Sequence, residues 1–285
     1  MRRVMVLTGC ASGMGAHLAG ALTARGASGT SGTSGTSGTR LLATDVDEGA
    51  LRARAAKDGW DPKAVRLARL DVRRAEDWEA ALDEAESAWG PVSVVMNIAG
   101  ALRPGFIESI RPEDIDLHMD VNVKGTALGM RAAAARMIPR RSGHIINFGS
   151  LASLAPVPGL SLYSASKFAV RGLSLAAATE LRPHGVAVTL VMPDAVQTPM
   201  LDRQLDYKEA ALTFSGDRPL TVEEIARLVL DTVLPERPLE VTIPRGRGVL
   251  ARAANVAPGT TALLAPFLTQ KGLRKQASMR GHGDK

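Results

Sequence analysis

The 285-residue chain has a single cysteine, Cys10, so no disulfide can form within it and no thiolate cluster can hold zinc. Such a chain suits a reducing compartment, and a cytoplasmic location is the expectation. Aromatic residues make up only 4% and do not interleave with basic runs, so the net charge of +6 carries no nucleic-acid signature. No stretch approaches the roughly 20 apolar residues of a membrane-spanning helix. The opening "MRRVMVLTGCASGMG" has glycines where a signal peptide would continue its apolar run. The five histidines, His17, His118, His144, His184 and His282, show no paired spacing and no carboxylate cluster, so no metal is expected.

What the chain does have is alternation. "RVMVLTG", "RLLATDVD", "AVRLARLDV", "VSVVMNIAG", "GHIINFGS", "VAVTLVMP" and "LEVTIP" are short apolar runs, and helical patterns separate most of them. Strands apolar on both faces need helices on both sides, which predicts an α/β fold: a Rossmann-type doubly wound parallel sheet in one domain. Residues 1–247 read as this one domain and 248–285 as a C-terminal extension with a basic finish. Thr221 followed by Glu224 reads as a helix capping box.

"TGCASGMG", Thr8 to Gly15, falls where the first strand becomes a helix. Gly9, Gly13 and Gly15 would let backbone N–H groups approach a pyrophosphate at the helix N-terminus. An acidic residue about 20 positions on would bind the adenosine ribose. Asp45, closing the second strand, lies 30 residues past Gly15, and removing the four Ser-Gly-Thr triplets of Ser28–Thr39 shortens that to 18. The tract therefore reads as a flexible insertion in a finished βαβ unit. Asp45 would repel a 2′-phosphate, which favours NAD over NADP; capping of the following helix is its bland alternative.

"SLASLAPVPGLSLYSASK" holds Ser150, Tyr163 and Lys167. Tyr163 and Lys167 are four apart and share a helix face, where an ammonium beside a phenol favours the phenolate. Tyr163 is then a proton donor and acceptor near neutral pH.

With these motifs in this order, the sequence resembles a classical short-chain dehydrogenase/reductase over roughly residues 3–245. The family's "TGxxxGxG", "NNAG" and "YxxxK" appear as "TGCASGMG", "NIAG" and Tyr163–Lys167. The resemblance implies a catalytic set of Asn122, Ser150, Tyr163 and Lys167. Tyr163 would be the general acid/base, Ser150 would bond the substrate oxygen, and Lys167 would hold the nicotinamide ribose. Asn122 would position a relay water. It further implies cofactor contacts from Gly9, Ser12, Gly13, Met14, Gly15, Asp45, Asp71, Val72, Asn97, Gly100, Tyr163, Lys167, Val196 and Thr198. The implied activity is NAD-dependent hydride transfer between nicotinamide and a secondary alcohol or ketone, by a homo-oligomer, tetramer or dimer. NADP-dependent reduction and a non-catalytic cofactor sensor are the rivals.

Two departures stand out. Asp194 replaces the usual Gly in "PDAVQTPM", leaving the backbone path there open, and Ile98 replaces the second Asn of "NIAG". The segment from Met200 to Pro219 reads as a polar, irregular lid over a mainly apolar pocket, and the expected substrate is a small apolar alcohol or ketone. Cys10 reads as a small buried residue. For the C-terminal extension, packing on protein is preferred over contact with a membrane surface.

Overall fold

The computed structural model describes residues 3–27 and 38–283. Most of the Ser-Gly-Thr tract, residues 28–37, lies outside the described residues.

Seven parallel strands form one sheet in the order β3-β2-β1-β4-β5-β6-β7. They are β1 (Val4–Thr8), β2 (Arg40–Asp45), β3 (Val65–Arg69), β4 (Val94–Asn97), β5 (Gly143–Phe148), β6 (Val186–Pro193) and β7 (Glu240–Ile243). The helices are α1 (Gly13–Ala27), α2 (Glu48–Asp58), α3 (Ala75–Trp89), α4 (Pro112–Leu117), α5 (Gly125–Met137), α6 (Ser161–Leu181), α7 (Pro199–Asp202), α8 (Val222–Leu228), α9 (Leu234–Glu236), α10 (Arg245–Val256) and α11 (Pro258–Gly283).

Period-2 alternation along β1 shows why both faces must be covered. Met5 and Leu7 join a core with Leu18, Leu22 and Val229 from α1 and the segment after α8, whereas Val4 and Val6 join Trp78, Leu82 and Met137 from α3 and α5. The strand order reverses between β1 and β4, and the carboxyl ends of the strands flank a crevice there, the usual ligand position in such sheets.

Local signals set several element ends. Asp47, not Asp45, caps α2 by accepting from Ala50 N at 2.9 Å, and Gly59 ends that helix in the left-handed region at φ 63°. The Thr221–Glu224 capping box forms as read. A π-helical turn, His118–Lys124, joins α4 to α5 without a break and carries Asn122.

The segment after β6 differs from the polar lid expected of it. It coils into α7 and a 3₁₀ stretch, Lys208–Ser215, that buries Leu201, Ala210, Ala211 and Phe214. The reason is α11, which lies across it. A Cβ on Gly272 would stand 1.9 Å from the Ala211 carbonyl oxygen, so only glycine permits this approach. Buried Gln276 donates to the carbonyls of Gln204 and Tyr207 at 3.1 and 2.9 Å. The C-terminal extension is thus two helices, beginning at Arg245, and its inner side packs on the body of the protein.

Candidate active site

Four elements converge at the carboxyl end of the sheet. Ser150 follows β5 and opens a short 3₁₀ turn, Leu151–Ser153, as its capping residue; its Oγ accepts from Ala152 N at 3.1 Å, which aims the hydroxyl. Tyr163 and Lys167 stand one turn apart on α6, as their spacing predicts. The Tyr163 and Ser150 side chains line the same cavity, and the Ser150 hydroxyl is near enough to the phenol to favour its charged form. The Lys167 ammonium donates to the Phe148 carbonyl at 2.8 Å and lies 5.6 Å from the centre of the Tyr163 ring.

Asn122 is held from three directions. Its Oδ1 accepts from Ala101 N at 2.7 Å, and its Nδ2 donates to Ala101 O and Ser166 Oγ at 2.9 Å each. Ser166 Oγ in turn donates to the Tyr163 carbonyl at 2.7 Å, so the π-turn and α6 are tied at the tyrosine itself.

The proton affinities differ from the sequence expectation. Burial pushes the Tyr163 phenol up to about 12, with the Ser150 hydroxyl opposing, and burial lowers Lys167 to about 8. The ammonium is aimed at a carbonyl rather than at the phenolic oxygen, so desolvation outweighs attraction here.

The Gly-rich turn takes the shape its glycines allow. Gly9 and Gly13 have φ of 72° and 57°, and a Cβ on Gly15 would lie 2.1 Å from the Gly9 carbonyl oxygen. A Cβ on Gly13 would come within 3.2 Å of Thr198, bringing the turn against the loop after β6. Ser12 is exposed on the turn. Asp45, partly exposed, accepts from Ala11 N at 2.9 Å and from Asp47 N at 3.1 Å, which binds the end of β2 to the turn.

One cavity of about 580 Å³ is lined by Met14, Gly100, Val196 and Thr198 together with Ser150, Tyr163 and Lys167. Its remaining wall is mainly apolar and includes Leu102, Val157, Leu160 and Leu212, with Leu250 and Leu268 from α10 and α11. Eight expected cofactor residues stand outside this wall: Gly9, Ser12, Gly13, Gly15 and Asp45 at the turn, and Asp71, Val72 and Asn97 beyond it. Asn97 is buried and donates to Asn147 Oδ1 at 2.7 Å, inside the core. Val72 packs so closely on α5 that a Cβ on Gly125 would fall 2.7 Å from it. Asp71 holds Arg73 through both oxygens, and that guanidinium keeps its carboxyl low, at about 2.

Asp194 resolves one sequence question. Its φ is not in the left-handed region, so the position does not require glycine, and its carboxylate pairs with Arg247 of α10 at 2.5 Å. Burial raises the Asp194 pKa while Arg247 opposes that rise. Cys10 is buried and its thiol is pushed up by desolvation, as a small core residue would be.

Sequence reasoning missed two positioning residues. Thr8 Oγ1 accepts from Ile98 N and Ala99 N at 3.0 and 3.1 Å, fixing the end of β4 to that of β1. Its place in "TGCASGMG" was the available signal. Buried His118 accepts from Arg103 N at 3.1 Å and donates to Asp114 O at 2.6 Å, the tautomer those partners imply. Burial lowers its pKa, which suits the neutral ring. No sequence spacing pointed to it, because both partners are backbone groups.

A doubly wound sheet with a Ser–Tyr–Lys–Asn cluster at its carboxyl edge defines a dinucleotide-fold protein. A family model described as short chain dehydrogenase matches residues 3–209, and the chain belongs to that oxidoreductase family. It is 36% identical over 200 residues to a 3-alpha-(or 20-beta)-hydroxysteroid dehydrogenase of Mycobacterium tuberculosis, covering 70% of this chain and 71% of that protein. A 3-beta-hydroxysteroid dehydrogenase of Comamonas testosteroni is 30% identical over 238 residues, covering 80% and 87%. The crystal structure of a short chain dehydrogenase/reductase from Burkholderia phymatum in complex with NAD superposes with a TM-score of 0.76 at 26% identity, covering 91% of this chain and 95% of that one.

Proposed function

We propose that this protein is an NAD-dependent dehydrogenase of apolar secondary alcohols, or a reductase of the matching ketones, with Tyr163 as the general acid/base. The observation that carries the reading is the Tyr163 phenol beside Ser150 at the wall of an apolar cavity, backed by Lys167 one helical turn away.

The residues fit a dinucleotide. The three glycines leave a close backbone cradle at the start of α1, where helix N–H groups and the dipole favour a pyrophosphate. Asp45 offers a partly exposed carboxylate at the end of β2. Arg69 stands opposite it in register, but its guanidinium goes to Asp77 at 3.3 Å, and Arg73 is committed to Asp71. Neighbouring cations are therefore already paired, which supports ribose hydroxyls over a 2′-phosphate. The crystal neighbour holds NAD, which supports the same choice.

The nicotinamide, when bound, supplies the hydride acceptor for oxidation or the donor for reduction. In oxidation, Tyr163 in its phenolate form takes the hydroxyl proton while the carbinol C–H bond breaks and its electron pair leaves with the hydride. Ser150 donates to the developing oxygen charge, and Lys167 keeps positive potential beneath the phenol. Asn122 and Ser166 fix the tyrosine's position through its carbonyl. In reduction, Tyr163 gives the proton back. The cavity's aliphatic wall and the hydroxysteroid dehydrogenases among the relatives support an apolar substrate.

Replacing Tyr163 with Phe should lower turnover about 10³-fold while NADH affinity stays within about twofold, since only one hydroxyl of the binding surface is lost. A panel of secondary alcohols followed by reduced-cofactor absorbance, with parallel NADH and NADPH titrations, checks both parts. Full activity in the variant would overturn the role of Tyr163, and tighter NADPH binding would overturn that of Asp45.

A further inference from the structure

The outer faces of α10 and α11 have no counterpart in the reaction described above. Among the described residues, six of the twelve large apolar side chains exposed to solvent belong to these two helices: Val249, Leu250, Val256, Leu263, Phe267 and Leu273. Leu263 and Phe267 are 82% and 68% exposed, and their four-residue spacing places them on one face. Lys271 and Arg274 continue that face at helical spacing. Over residues 245–283 the sequence has seven Lys or Arg and no Asp or Glu. Apolar side chains standing in water beside an unbroken set of cations are the pattern of a segment that lies in a lipid interface. No described helix is long and apolar enough to cross a membrane.

We propose that the α10–α11 lobe seats the protein on an anionic bilayer surface, with the mouth of the apolar cavity turned toward the lipid. The occupant follows from charge complementarity: Arg247, Arg252 and Lys271 pair with Asp194, Glu240 and Asp217, and the remaining four cations are a net positive excess that repels a second copy of the same face and attracts acidic headgroups. The cavity connects to this surface through Leu250, which is 69% exposed and also lines the cavity. Ala254 of α10, Ala257 just after it, and Ala265 and Leu268 of α11 line the same cavity. An apolar alcohol dissolved in the bilayer would then meet an apolar wall at the protein's edge. The inner side of α11 stays on the body of the protein, where Lys275 donates to the carbonyls of Gly216 and Asp217, Arg280 donates to that of Leu205, and Gln276 is buried. Docking therefore needs no rearrangement of the lobe.

Co-sedimentation of the full chain with phosphatidylcholine vesicles, and with vesicles containing about one third phosphatidylserine, tests the proposal without any substrate. Binding should be strong on the phosphatidylserine vesicles, weak on the neutral ones, and released by salt. K271E/R274E should lower partitioning by more than the roughly fivefold that each lost cation contributes. L263S/F267S should remove it while secondary structure by circular dichroism stays unchanged, since both side chains are exposed. Equal partitioning on the two vesicle types, or none on either, overturns the proposal. So does a sedimentation-velocity result in which L263S/F267S splits a larger assembly of this chain while vesicle binding persists, because the face would then be a contact between copies. None of these readouts depends on cofactor choice or on Tyr163.

Discussion

Lys167 keeps its ammonium almost out of reach of water, bonded to the Phe148 carbonyl, and burial lowers its pKa from 10.5 to about 8. Because the folded value lies below the unfolded one, the unfolded chain binds more protons between pH 8 and pH 10.5, and stability rises with pH across that window. Tyr163 acts oppositely: its folded pKa near 12 exceeds the ordinary 10, so its contribution is lost as pH rises from 10 to 12. Lys167→Met should therefore be inactive yet more stable at pH 7. A shift of that size corresponds to roughly 3 kcal/mol, offset by about 1 kcal/mol for the lost hydrogen bond. The advantage should vanish by about pH 10.5. Urea denaturation midpoints at pH 7, 9 and 10.5 check the sign, and a variant less stable than the parent at pH 7 would refute it. The identity of these two residues is legible in the sequence, because a four-residue spacing on a helix is a local matter. Their proton affinities are not, because burial comes from the cavity wall, including helices more than eighty residues downstream.

At the scale of elements, Gly272 decides whether α11 can lie on the 3₁₀ stretch at all. A Val there would press on the Ala211 carbonyl, and overpacking of this kind lifts the helix rather than compressing the backbone. Gly272→Val should raise KM for an apolar alcohol roughly tenfold while kcat stays within about twofold. It should also expose α11 to limited proteolysis. Steady-state kinetics and a timed digest check this. The strands and the Gly-rich turn are readable in advance because their signals sit in consecutive residues. The seating of α11 is not, because it depends on one glycine meeting one carbonyl 61 positions away. Asn97 shows the same limit: its motif is plain, but its side chain faces Asn147 through the register of β4 on β5, which no local pattern states.

At the scale of the whole molecule, the Ser-Gly-Thr tract and the C-terminal lobe make contrasting additions to one domain. The tract runs between α1 and β2, whereas all four members of the proposed tetrad lie beyond residue 120 at the carboxyl edge of the sheet. Excising residues 28–36, which keeps the buried Thr39 and its approach to β2, should leave turnover within about twofold, since loop length enters closure entropy only logarithmically. A large loss of activity in a folded variant would show that the tract has a part in the site. The C-terminal lobe is different, because it supplies a wall of the cavity. Every residue of the tetrad leaves the ribosome before α10 and α11 do, so the groups that carry the chemistry are synthesised ahead of the helices that wall them in. A chain released before α10 would keep all four side chains and lack one side of the chamber they face.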